Sequence, residues 1–272
     1  MRHAREGSSS ESKRWCSCFL ANSTAADDLP WSDPYVLSPR ERSGIQDSIQ
    51  QFQLGEASNG VRLLKRGQAY SAAAMDPDFV SALSLFIREE QRHSACLLRF
   101  MRIQGIPPVT KHWVDNSFRL LRGLAGLELS LRVLVTAELI AAPYYRALGL
   151  ATNSKLLQAI CKMILRDEAS HLRFQASMLF RLGEGRARVV QRLLSVAHRL
   201  FLLGTCYVVW AGHRNVFAAA GYSFRKLVRE SLSELAVLVI ASSRDGGLGR
   251  GVVSCAPQPS RAPEVRDILP GD

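Results

Sequence analysis

Two short matches in this chain could do chemistry, Glu90-Gln91-Arg92-His93 and Glu168-Ala169-Ser170-His171, both of the form Glu-x-x-His. Three residues along a helix turn the chain through about 300°, so the Glu and His of each match share a face one turn apart and can ligate one metal centre. One such pair would mean little, but two on separate helical segments form a pattern. A site inside a helical bundle also needs carboxylates from the two remaining helices at the same height. Level residues of an antiparallel hairpin lie symmetrically about its turn. Glu56 and Glu90 have their midpoint at residue 73, inside the Ala-Ala-Ala-Met-Asp-Pro-Asp stretch of 72–78, and Glu138 and Glu168 have theirs at residue 153, inside Ala-Thr-Asn-Ser. The competing carboxylate Glu128 gives residue 148, within a helical stretch, and ranks second. Glu138 sits in the apolar run LRVLVTAELIAAPYY. Burying an unpaired carboxylate there costs several kcal/mol, so a metal or a proton must compensate it.

The elements that position these residues read as helices throughout. Apolar residues recur at helical spacing, as in Phe79, Leu83, Phe86, Ile87 and then Leu97, Leu98, Met101, and no stretch alternates with period two. Breakers divide the pattern into helices over about 44–73, from about 77 to 104, 118–148 and 154–182, with a longer crossover after Gln-Gly-Ile-Pro-Pro. Asp76 with Pro77 marks the start of the second. Four long helices with a long middle link are the layout of two hairpins packed as a bundle. The expected organisation is a disordered tail over 1–43, a four-helix bundle over 44–182, two further helices over 183–241 packing on the bundle or a partner, and a disordered tail over 242–272. Pro143 is expected to kink or end the third helix, because it removes the hydrogen bond to the carbonyl of Leu139. Tyr144 and Tyr145 are expected as packed aromatics with their hydroxyls at the surface, with the lining of a substrate cavity as the alternative role.

Over residues 50–180 this arrangement resembles the ferritin-like di-iron carboxylate superfamily, in the order Glu, Glu-x-x-His, Glu, Glu-x-x-His at Glu56, Glu90, His93, Glu138, Glu168 and His171. The resemblance implies a ferritin-like four-helix bundle with two iron ions, or a manganese and an iron. One carboxylate and one histidine would serve each ion terminally, and two carboxylates would bridge the pair. It further implies that acidic residues beside the motif accept the distal N–H of the opposite helix's histidine, here Asp167 for His93 and Glu89 for His171, which fixes the tautomer and raises ligand basicity. No Cys-x-x-Cys iron site of the rubrerythrin kind is present. Leu97 stands where radical-forming reductase subunits carry tyrosine, and Ile164 where arylamine N-oxygenases carry a third histidine. The function expected is a di-iron oxidoreductase using O2 on a small apolar or aromatic molecule, with an electron donor that the sequence does not identify. An iron-binding, peroxide-consuming stress protein without an organic substrate and a metal-free helical interaction protein are the alternatives.

Composition bounds this reading. The 272 residues are 47% hydrophobic and 22% charged, which can bury a core and argues against a disordered or integral membrane protein. The net charge of +11 is spread through periodic segments, so a solvated basic helix surface is expected and nucleic acid is not. Six cysteines without Cys-x-x-Cys spacing read as free thiols of a cytoplasmic protein. The apolar run LFLLGTCYVVWA, residues 200–211, falls short of the ~20 residues a membrane span needs, so no transmembrane segment is expected. Gly204 and Gly212 allow close helix approach in a homodimer. Arg199, Arg214, Arg225, Lys226 and Arg229 flank the same region and allow a weak contact with a membrane surface.

Overall fold

In the computed structural model the residues described are 2–24, 26, 28–110 and 126–245. All regular structure among them is helical. The helices are α1 (Arg2–Ala21), α2 (Pro39–Glu56), α3 (Val61–Ala74), α4 (Asp78–Ile103), α5 (Leu127–Leu150), α6 (Lys155–Leu182), α7 (Arg188–Ala219) and α8 (Phe224–Asp245).

Two antiparallel pairs face one another: α2 and α3 run against α4, and α5 runs against α6. The shared core holds Ile45, Ile49, Leu97, Phe100, Leu139, Leu157 and Ile164. The start of α2 is closed by a capping box, in which Ser38 accepts from the Glu41 N–H and Glu41 accepts from the Ser38 N–H. The Glu41 carboxylate also accepts from Tyr35 Oη at 2.7 Å and from the Asn153 N–H at 2.9 Å. The N-terminus of α2 is thereby tied to the turn between α5 and α6.

Several expectations are corrected here. Residues 1–43 are not a featureless tail: α1 lies within them, and Trp15, Cys18 and Phe19 are buried against Phe79, Phe86 and Phe174. The spacing 15, 18, 19 is one helical stripe, too short among Ser, Lys and Glu to register as a period. Asp76, at the turn before α4, accepts from Ser12 Oγ at 2.7 Å and so fastens α1 to the bundle. The first long helix is two, parted at residues 57–60, where Gly60 adopts φ +62° and a Cβ would meet Ile87 Cδ1 at 2.4 Å. Pro143 does not end α5, which runs on to Leu150. The expected third-helix start at 118, most of the crossover, and most of the 242–272 tail lie outside the described residues.

Helices α7 and α8 pack on α5, with α7 also touching α2 and α8 touching α6. The buried face of α7 carries His198, Leu202, Thr205, Cys206, Val209, His213 and Val216. Two buried histidines fasten it: His198 Nε2 lies 2.9 Å from Thr136 Oγ1 of α5, and His213 Nδ1 lies 2.8 Å from Ser48 Oγ of α2. The helix bends at His213, whose backbone leaves helical geometry directly after Gly212. The five described cysteines are all free.

Candidate metal centre

The structure brings all six residues of the two motifs and their partners together. Glu56 ends α2, Glu90 and His93 lie mid-α4, Glu138 mid-α5, and Glu168 and His171 mid-α6. They form two overlapping groups, Glu56, Glu90, His93 and Glu168, and Glu90, Glu138, Glu168 and His171, in each of which one donor atom per residue lies within 4.8 Å of every other. Glu90 and Glu168 belong to both. The rings of His93 and His171 are 5.6 Å apart. Glu128, the competing third-helix carboxylate, is elsewhere, held by Arg132 and by both amino nitrogens of Arg186.

Each histidine is oriented from behind. His93 Nε2 lies 3.1 Å from Asp167 Oδ2, and His171 Nε2 lies 2.9 Å from Glu89 Oε2. Arg92 donates to both carboxylates, at 2.8 Å to Asp167 and 3.3 Å to Glu89, and neutralises part of their charge. With Nε2 held by these acceptors, each Nδ1 faces the inner carboxylates. His93 Nδ1 is 3.8 Å from Glu168, and His171 Nδ1 is 2.8 Å from Glu90 and 3.5 Å from Glu168.

Buried polar atoms normally find hydrogen-bond partners. Here Glu90 Oε1, both Glu168 carboxylate oxygens, His93 Nδ1 and His171 Nδ1 are buried and have none. The 2.8 Å between His171 and Glu90 is within range but lacks hydrogen-bond alignment. Burial, reinforced by Glu90, pushes the Glu56 carboxyl up to about 8, and burial with Glu138 holds Glu168 well above the ordinary carboxylate range. Burial works against the charged form of His171, yet Glu90, Glu168 and Glu89 outweigh it and raise the imidazole well above its usual value. Asp167, despite burial, is lowered to about 2 by His93, Arg166 and Arg92. Without a metal, protons on these groups therefore offset the charge that the crowded carboxylates would otherwise carry.

Three participants escaped the sequence reading. Tyr145 Oη donates to Glu56 Oε1 at 2.6 Å, so the expectation of a hydroxyl at the surface is corrected for it. Tyr144 is buried as well and accepts from Ser48 Oγ at 3.1 Å. Gln175 Nε2 donates to Glu138 Oε1 at 2.8 Å, and Arg92 ties the two outer carboxylates. Tyr145 and Gln175 each lie seven residues beyond a motif Glu, two turns along the same helical face.

Phe19, Phe86 and Phe174 wall the site beside His171, whose ring centroid is 4.7 Å from that of Phe86. On another side the gap between α2 and α3 opens a cavity of ≈ 450 Å³ that reaches Glu90 past Phe86, Ile87 and Leu134. Comparison with family models, with curated proteins and with solved structures finds no match.

Proposed function

We propose that the chain is a ferritin-like di-iron oxidoreductase that uses O2 on a small apolar or aromatic molecule. One observation carries the reading: five buried donor atoms, three carboxylate oxygens and two Nδ1 atoms, converge without an aligned hydrogen bond while each histidine's other nitrogen is held by a carboxylate. Glu90, Glu168, His93 and His171 supply those atoms, with Glu56 and Glu138 completing the set. Mixed carboxylate and imidazole ligands suit iron or manganese, and four carboxylates balance two divalent ions. When bound, such a pair supplies the electrons that activate O2.

The chain's own residues do the rest. Asp167 and Glu89 hold the imidazoles in the tautomer that leaves Nδ1 free to ligate. Tyr145 and Gln175 orient Glu56 and Glu138 through their hydrogen bonds. The aromatic wall keeps bulk water from the reacting atoms. The cavity against Glu90 favours an organic substrate over storage alone, since its volume is that of a small-molecule site and Phe86, Ile87 and Leu134 line it together with Arg62 and Arg66.

Protein produced with iron should carry two metal ions per chain by elemental analysis, and O2 consumption with a reductant should depend on them. Glu90→Ala and Glu168→Ala should each reduce the metal content by at least half. Content well below two in the parent chain, unchanged by both substitutions, rejects the metal reading and leaves the metal-free helical protein.

A further inference from the structure

The outer face of α7 is as apolar as its inner one. Val189, Leu193, Val196, Leu200, Leu203 and Tyr207 recur every three or four residues and are each between 37% and 66% exposed. At 1.5 Å per residue this stripe is about 27 Å long. It lies opposite the face fastened through His198 and His213, so no rotation of α7 can hide it. The helix is long and apolar enough to cross a membrane, with a mean hydropathy of 1.5 in its most apolar window, yet only 28% of that window is buried. By contrast α5, which also meets the length and hydropathy of a span, is 72% buried as a core helix.

Charge identifies what covers the stripe. Between Glu184 and Glu230 the chain has no acidic residue and eight basic ones. Exposed Arg188, Arg192 and Arg199 fall along one edge of the stripe, where long side chains can bury their stems while their guanidinium groups stay in the headgroup layer. Exposed Arg214 follows past the bend at His213. A two-fold pairing of copies would bring these rows of arginine together without a compensating carboxylate on the helix.

We infer that α7 docks the protein onto an anionic lipid surface, lying in the plane of the interface with Val189, Leu193, Val196, Leu200, Leu203 and Tyr207 in the acyl boundary and Arg188, Arg192 and Arg199 at the headgroups. The helix cannot leave the bundle to span the bilayer without exposing His198 and His213 and breaking their bonds to Thr136 and Ser48. This inference is independent of any metal.

Co-sedimentation of the full chain with vesicles tests it. The protein should pellet with phosphatidylcholine vesicles containing one third phosphatidylglycerol, and pure phosphatidylcholine vesicles should leave it in the supernatant. Raised salt should weaken the binding. Arg192→Gln with Arg199→Gln should weaken it about tenfold or more, because each basic side chain near such a surface contributes separately. Leu193→Glu with Leu200→Glu should abolish it while circular dichroism stays helical. The arginine pair remains a valid probe should the glutamates disturb folding. Equal binding to both vesicle types, or none to either, overturns the inference. So does a stable dimer by light scattering that the paired glutamates dissociate, which would make the stripe a contact between copies.

Discussion

At the scale of residues, Glu90, Glu168, His93 and His171 form a dense group of carboxylate and imidazole donors that could hold a metal ion. Carboxylates are buried close together, the imidazoles face them with Nδ1, and both are braced by Asp167, Glu89 and Arg92. A ligand bound only by the folded state stabilises it by mass action, about 3 kcal/mol at a hundredfold excess over Kd. Adding ferrous or manganous ion to chelator-treated protein should therefore raise its Tm on the order of 5–10 °C for a chain of this size. Glu168→Ala, which removes a carboxylate shared by both donor groups, should erase that rise. A melt indifferent to metal in the parent chain would count against the site. The six ligand candidates were legible because Glu-x-x-His occurs twice and because hairpin symmetry pairs residue 56 with 90 and 138 with 168. Tyr145 and Gln175 were not, because a lone Tyr or Gln on an apolar face has many ordinary explanations until its partner is seen.

At the scale of elements, α1 shows how a short stripe can matter more than its surroundings suggest. Trp15 and Phe19 pack against Phe174, and Phe19 lies 6.0 Å from the His171 ring, so this helix forms part of the aromatic wall beside the site. Phe19→Ala should cost about 3–5 kcal/mol, as for other fully buried aromatics. Urea unfolding measures it, and a cost below about 1 kcal/mol would show that α1 is not docked in solution. The helices α4, α5 and α6 were legible from their apolar period, since each presents long buried stripes. The division of α2 from α3 was hidden, because the apolar pattern resumes after Gly60 and only the backbone there departs from helical geometry. That division is also what opens the cavity onto Glu90. The persistence of α5 beyond Pro143 shows tertiary packing overriding a local breaker, with Tyr144 and Tyr145 fully buried immediately after it.

At the scale of the molecule, α7 is both a brace and a surface. Its inner histidine His198 is lowered to about 4, first by burial and then by Arg132, from an ordinary value of 6.5. Between about pH 4 and 6.5 the unfolded chain binds a proton that the folded protein refuses. Stability is therefore full above the ordinary value and falls as pH drops through that window, by at most about 3 kcal/mol for this group. Urea melts of chelator-treated protein at pH 7 and pH 5 should show a larger loss for the parent chain than for His198→Gln, and equal losses would reject this source of acid sensitivity. The carboxylate of Glu41, described above as closing α2 and holding Asn153, has a further consequence in terms of measurement. Glu56 lies fifteen residues beyond Glu41, Glu138 fifteen before Asn153, and Glu168 fifteen after it. Three separate helices thus count the same interval from a common datum, roughly 22 Å at the helical rise. A slip of one hairpin against the other would have to break the Glu41 contact first, so a single surface-proximal hydrogen bond acts as the zero mark of a ruler whose other end is the buried centre.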